Sequence, residues 1–544
     1  MAELLDIFGF LAVLLRGLNL ALQTLIVGGV IFIFVVITPK SVSFDSGTQR
    51  IRNSCRKLIA CSALALAFTQ LVYLFVHSAI LMETANIRFK EVIGANFFLA
   101  GSASASAALL IAALARTDGR WRTWVLLISS TIILGASILT SHAAGRIEHQ
   151  WALACVTAIH QAATASWIGG IPYLVLSLTR CSDIDAARML SKRFSRLALV
   201  SVATLAAAGV VLSLAYVNSW DAFYGTSYGA MVVSKVILLG LLLVMGGFNF
   251  IFVRRLDAND VALLTNLRRF AEVEIGIGFT VILAAASLTS QPPAADLVVD
   301  RANAGEVLAR LAPRWPALRT PALSELAPVT PLPFSTTTST GFESYIPGAV
   351  SNSNGPADIA WSEYNHHWSG LIVLAIGLLA VLGSTGRAPW ARHWPLLFFG
   401  LALFLLVRSD PENWPLGPRG FWESFVVAEV LQHRVFVLLV VAFGVFEWGV
   451  QTNRITSLVA SLVFPAVCAL GGALLLTHSH SLGNAKEELL VELSHIPLAL
   501  FAIAAGWSRW LELRLPGKYR YIPARVWPVC FVLIGAILLL YRES

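Results

Sequence analysis

Three imidazoles, and two carboxylates that share a helical face with the last of them, fall within one short stretch of this 544-residue chain. Between Leu474 and Leu500 it reads LLLTHSHSLGNAKEELLVELSHIPLAL. An apolar run ends in His478 and His480, a polar turn follows, and a second apolar run carries Glu488, Glu492 and His495. On a helix, positions 488, 492 and 495 stand at i, i+4 and i+7 and share one face. Ionisable groups inside membrane spans are rare and mark ion, substrate or proton pathways. The plainer alternative is that the histidines cap helix ends and hydrogen-bond between helices.

A second stretch, LTSHAAGRIEHQWALACVTAIHQAATASWIGGIPYL, begins at Leu139. His142 ends one apolar run, and His160 lies ten residues inside the next, past the solvated His149. At 1.5 Å per residue that depth is roughly 15 Å, close to mid-membrane. A lone histidine at that depth is also read as a satisfied structural residue. His366, His367 and His433 stand at the outer mouths of later runs and read as capture points. Imidazole with carboxylate suits a divalent N/O site, and Cu(II) is favoured by intrinsic affinity over Zn, Ni and Fe. Spacing alone does not choose among them.

Stepping outward, 57% hydrophobic residues, 13% charged residues and a mean hydropathy of +0.73 exclude a soluble globular protein. Apolar runs of roughly 20 residues mark transmembrane helices, and fourteen such runs lie between residues 5 and 541. The acidic start, MAELLD, lacks the basic region of a signal peptide, so the first run is kept as a span. The expected fold is all-α, a polytopic integral membrane protein of about 14 transmembrane helices.

A net charge of +8 does not point to nucleic acid, because its distribution is that of a membrane topology. Arg50, Arg52, Arg56 and Lys57 follow span 1, and Arg116, Arg120 and Arg122 follow span 3. Arg188, Lys192, Arg193 and Arg196 follow span 5, and Arg254, Arg255, Arg268 and Arg269 follow span 7. Arg387, Arg392, Arg454, Arg509, Arg514, Lys518, Arg520 and Arg525 continue the alternation. Basic residues collect on the cytoplasmic side, which places both termini outside. On this topology His393 alone of the eleven histidines is cytoplasmic.

Residues 291–366 hold ten of the 22 prolines and the FSTTTST cluster, and read as a largely irregular outer loop. They divide an eight-span domain, 1–290, from a six-span domain, 367–544. LTSHAAG at 139–145 resembles LLTHSHSLG at 475–483, and the next intramembrane histidine follows by 18 and 17 residues. If the hairpins correspond, the second domain is a partial parallel repeat of the first. Arg16 lies well inside span 1 at a cost of ~2.5–3.5 kcal/mol if exposed to lipid, so it should face the bundle or a wet cavity. The six cysteines form no CxxC pair, and the five methionines form no Met-rich run. There is no nucleotide-binding loop and no phosphorylatable aspartate motif, so any transport is not expected to be ATP-driven; the chain is not expected to be an enzyme unless it is a haem-binding redox protein.

At residues 139–170 and 218–275 the chain resembles the copper resistance D family of bacterial inner-membrane proteins. The residues that carry the resemblance are His142, His160, Trp167, Gly169 and Gly170, then Gly225–Thr226–Ser227–Tyr228–Gly229, Lys235, Asn249 and Glu274. It covers roughly the first 290 residues, and the remainder is similar to longer members. The resemblance implies copper handling across the inner membrane, often alongside a periplasmic copper-binding protein, and makes the outer side, with both termini, periplasmic. It does not assign ligands one by one. From the residues themselves, His142, His160, His478, His480 and His495 are the expected copper ligands, with His366, His367 and His433 for capture and Glu488 and Glu492 for charge. The rival expectation is a membrane redox protein with haem b held between paired histidines such as His160 and His495.

Overall fold

Apolar runs in lipid must satisfy every backbone N–H and C=O internally, which leaves the helix as the local solution here. The computed structural model describes residues 2–38, 46–117, 119–181, 183–256, 260–298, 301–326, 355–477 and 485–543. Among the described residues, fourteen helices are long and apolar enough to cross a membrane. Among the described residues no strand is present, only an isolated bridge between Asn413 and Arg419. The chain is an all-α, multi-pass membrane protein.

Spans 1 to 8 are Leu11–Ile37, Gly47–Ala85, Asn96–Leu114, Trp121–Leu139, Gln150–Arg180, Ile184–Tyr216, Ser227–Arg255 and Val261–Leu288. Spans 9 to 14 are Pro356–Ser384, Pro389–Arg408, Val430–Gln451, Leu458–Leu476, Leu489–Arg514 and Gly517–Leu539. Their polar ends are capped where the sequence provides an acceptor. Asp183 accepts from the Asp185 and Ala186 N–H groups before span 6, and Asp260 accepts from Leu263 before span 8. Phe68, Phe75, Val200 and Leu214 stay exposed on the helix faces, as hydrocarbon contact allows.

Span 9 starts at Pro356, earlier than the apolar run beginning near residue 367 suggests. Proline is preorganised for a first helical turn, and the Asp358 carboxylate accepts from the Gly355 N–H at 3.0 Å. His366 and His367 therefore sit several turns inside a helix and not at its mouth. The stretch expected to be irregular also contains a helix, Ala304–Leu311, opened by a reciprocal cap between Asn303 and Glu306.

Two compact units are present. The first collects Met1–Phe10, Ser219–Ser234 and Ala294–Ser544; the second collects Leu11–Asn218 and Lys235–Pro293. Within the first, span 9 packs on span 14, span 12 on span 13, and span 13 on span 14. Their core is aromatic: Trp394, Phe398, Phe443, Phe464, Trp527 and Phe531 meet mostly edge to face or tilted.

Within the second unit, span 2 packs on span 3, span 3 on span 4, and span 5 on span 6. Span 5 breaks after Trp167 and restarts at Ile171, with Gly169 and Gly170 between. A side chain at Gly169 would stand 2.1 Å from the Thr24 carbonyl, and one at Gly28 would stand 2.3 Å from the Ala165 carbonyl. Small residues let span 1 and span 5 meet backbone to backbone.

Candidate metal centre

In the first unit, the structure brings together two histidines that lie far apart in sequence. The rings of His366, on span 9, and His495, on span 13, meet edge to face with centroids 6.1 Å apart. Each helix fixes its own ring in the same way. His366 Nδ1 lies 2.8 Å from the Ser362 carbonyl, and His495 Nδ1 lies 2.8 Å from the Val491 carbonyl. A carbonyl only accepts, so the network assigns the proton to Nδ1 in both rings. Nε2 then carries the lone pair, the form in which imidazole ligates metal.

The pair is braced by groups beyond the ends of the spans. Tyr541 stacks on His366 with centroids 3.9 Å apart. Its hydroxyl donates to Glu543 at 2.6 Å and accepts from Arg310 Nη2 at 2.8 Å. Ser362 donates to the same Glu543 carboxylate at 2.8 Å. Arg310 lies in the helix of the Pro-rich stretch. It also donates from Nε to the Leu490 carbonyl at 2.9 Å and approaches Glu543 at 3.8 Å.

Burial works to raise the Glu543 carboxyl, but Arg310, His366 and the hydrogen bonds from Tyr541 and Ser362 hold it below its ordinary value. Burial and the adjacent Glu543 charge push the Tyr541 phenol well above its own ordinary value. The result is an ionised carboxylate and a neutral phenol beside two imidazoles.

His367 takes a different part. It is fully buried, the Ala317 N–H donates to its Nδ1 at 2.8 Å, and its Nε2–H donates to the Tyr541 carbonyl at 2.9 Å. Both ring nitrogens are thus engaged by backbone, and the side chain ties the Pro-rich stretch and the C-terminal residues to span 9. His433 pairs with Asp410 through Nδ1 at 2.8 Å. Burial works to raise the Asp410 carboxyl, yet the His433 and Ser409 hydrogen bonds and the charges of His433 and Arg434 bring it below its ordinary value.

Glu492 and His495 line a cavity of about 10 Å³ with Met231, Leu475, Leu476, Val491 and Ile496, space for about one water-sized species. Met231 was hidden in the sequence because the methionines are scattered. His478 and His480 lie outside the described residues, as does the side chain of Glu488.

In the second unit, His142 and His160 take separate partners. His142 Nε2 is 3.4 Å from the Leu288 carbonyl, and its ring lies 6.1 Å from that of Tyr216. His160 faces Gly209 of span 6, and its Nδ1 is buried without a hydrogen-bond partner. Asn249 donates to the Glu274 carboxylate at 3.0 Å, both side chains being buried. A side chain at Gly246 would stand 3.2 Å from Glu274 Oε1 and 4.0 Å from Trp167, so three of the residues that carry the family resemblance converge there.

Within the first unit, Gly225 ends the helix Trp220–Gly225 and Ser227 opens the next helix, with Thr226 extended between them. Thr226 Oγ1 accepts from the Gly229 N–H at 3.0 Å, and a side chain at Gly229 would collide with the Ala222 carbonyl at 1.9 Å. Among the described residues, no group of three or more His, Cys, Asp or Glu side chains is placed to hold a metal ion.

Residues 188–288 match the family described as copper resistance protein D. Over 163 residues the chain is 30% identical to the copper transport protein CutJ of Bacillus subtilis (strain 168). That match covers 29% of this chain and 29% of the relative, so the chain spans less than a third of the curated protein it matches. No solved structure matches the chain.

Proposed function

We propose that this chain, a member of the copper resistance protein D family by its residues 188–288, carries copper inward across a bacterial inner membrane. The observation that carries this reading is the meeting of His366 and His495 with Nδ1 of each ring held by its own helix. Two imidazoles presented through Nε2, beside an ionised carboxylate, make a site for a copper ion as cargo. Glu543 offsets part of the ion's charge, and the stacked Tyr541 keeps His366 from turning away. The similarity to a copper transport protein supports the same substrate.

In this reading both termini and the Pro-rich stretch face the periplasm. His433 receives the ion from the periplasm or from a copper-binding partner there. His478, His480, Glu488 and Glu492, from the same stretch of sequence as His495, supply further ligands and charge, and His142 and His160 form a separate step in the second unit. His367 holds the framework.

The test is copper binding by purified protein and copper accumulation by cells expressing matched amounts of each variant. His366→Ala and His495→Ala should each weaken binding by at least the roughly 10–100-fold that loss of an outer-shell partner costs. The double variant should do little more than either single one, because one imidazole left alone no longer chelates. His393→Ala, on a ring hydrogen-bonded to Trp448, should accumulate copper like wild type. Folded single variants that bind and accumulate copper normally would sink the proposal.

A further inference from the structure

Independently of copper, the geometry points to a binding site for a small monovalent anion, chloride in kind, inside the second unit. Arg16 of span 1 reaches a polar cavity of about 60 Å³. That is space for several water-sized species, at about 10–15 Å³ each. Asn19, Gln23, Gln70, Tyr73, Ser104 and Ser137 contribute to the wall, and no Asp or Glu does. Arg16 makes one hydrogen bond among the described residues, from Nη2 to the Thr140 carbonyl at 2.6 Å.

Thr140 caps the C-terminal end of the helix Arg120–Leu139. Such an end carries roughly half a unit of negative charge. About half of the guanidinium charge is therefore left without a protein counter-charge, in a segment surrounded by apolar helices. Bare positive charge there is costly, and a lining rich in N–H and O–H groups cannot neutralise it.

The hydrogen-bond directions favour an anion as well. Thr69 Oγ1 donates to Asn19 Oδ1 at 2.6 Å, which occupies the acceptor end of that amide and leaves its NH₂ group as the donor. Guanidinium, amide NH₂ and hydroxyl are donors toward a halide, while the Tyr73 hydroxyl lies 3.5 Å from His77 Nε2. A cation would meet Arg16 first and be repelled. A bulky oxyanion would compete poorly for so small a space.

The experiment uses the full chain in nanodiscs of uncharged lipid. Thermal unfolding is followed while chloride replaces gluconate at constant ionic strength. A ligand that binds the folded state raises the unfolding temperature saturably with its concentration. Wild type should show that rise with chloride and bromide, Arg16→Lys should keep part of it, and Arg16→Gln should lose it. Identical unfolding of wild type in chloride and gluconate, or an equal rise in Arg16→Gln, overturns the site. Should Arg16→Gln fail to fold, bromide soaked into crystals of the wild type decides the matter. An anomalous peak beside Arg16 supports the site, and its absence from that cavity refutes it.

Discussion

Arg310 is the residue through which the Pro-rich stretch holds the histidine pair, and Arg310→Met isolates that role because methionine keeps most of the length without the charge. The change deletes the bonds to the Leu490 carbonyl and the Tyr541 hydroxyl, 2.9 and 2.8 Å long, and the cation 3.8 Å from Glu543. Hydrogen bonds from a charged donor contribute about 1.5–3 kcal/mol each. Removing one partner of a buried pair costs about 3–5 kcal/mol. The Glu543 side chain is 17% exposed, so water moderates the loss, and about 3 kcal/mol in total is the reasonable expectation.

That loss multiplies local opening by roughly a hundredfold. Hydrogen exchange by mass spectrometry on residues 304–311 and 540–543 reads it directly. The pH dependence supplies the sign. In wild type the Glu543 carboxyl is held low. Its stabilisation is complete above the unfolded-state value, about 4.3 for a glutamate, and is lost as pH falls through the lower folded value. Without Arg310, burial dominates and raises the carboxyl, so a penalty exists at neutral pH and is relieved on acidification. After correction for intrinsic exchange, the difference between variant and wild type should shrink as pH drops towards 4. Wild-type exchange at neutral pH, or a gap that does not shrink in acid, refutes the reasoning.

Gly169→Ala should cost about 3 kcal/mol or more, since the new methyl meets the Thr24 carbonyl at 2.1 Å; monodisperse wild-type elution at wild-type yield would contradict this. Arg509 bridges Glu447 at 2.7 Å and Glu512 at 2.6 Å, with Glu447 fully buried. Arg509→Met should therefore lower the unfolding temperature far more than Glu447→Gln, because it strands two carboxylates at about 3–5 kcal/mol; equal shifts would count against the network. Lys486 pairs with the partly exposed Glu306 at 2.6 Å. Lys486→Ala should change exchange of the 304–311 helix by less than about 1 kcal/mol, an effect that fades in high salt; a large, salt-independent change would argue otherwise.

Hydropathy made the fourteen spans legible, because the bilayer imposes one length and one composition on every crossing. Helix ends were less so: span 2 runs Gly47–Ala85, well past the apolar run at 55–77, since a helix continues into water wherever its polar residues allow. His366 and His367 illustrate the limit at the site. Both were readable as ligand types, but adjacent helical residues point about 100° apart, and only packing reveals that one ring meets His495 while the other is bonded to backbone. Tyr541 and Glu543 follow the last apolar run, and Arg310 lies in a Pro-rich stretch. Polar residues in such places are ordinarily solvated, so nothing local announces that these fold back on span 9. Arg16 was legible in the other direction: a cation within an apolar run must face something polar, and it faces a cavity.

The contact of Gly28 with Gly169 has a mechanical consequence. Side chains between two helices act as a deformable layer that can slide, tilt or repack when the helices move. Spans 1 and 5 have no such layer where their backbones touch, and Tyr173 adds a clasp by donating to the Leu25 carbonyl at 3.0 Å. The two helices therefore form a single stiff lever within their unit. Any rocking that exposes His160 on span 5 first to one side and then to the other must carry span 1, and the Arg16 cavity, along with it. The compliant joints have to lie at interfaces cushioned by longer side chains. A cross-link between spans 1 and 5 should leave the proposed copper uptake intact, whereas one that bridges a cushioned interface should arrest it.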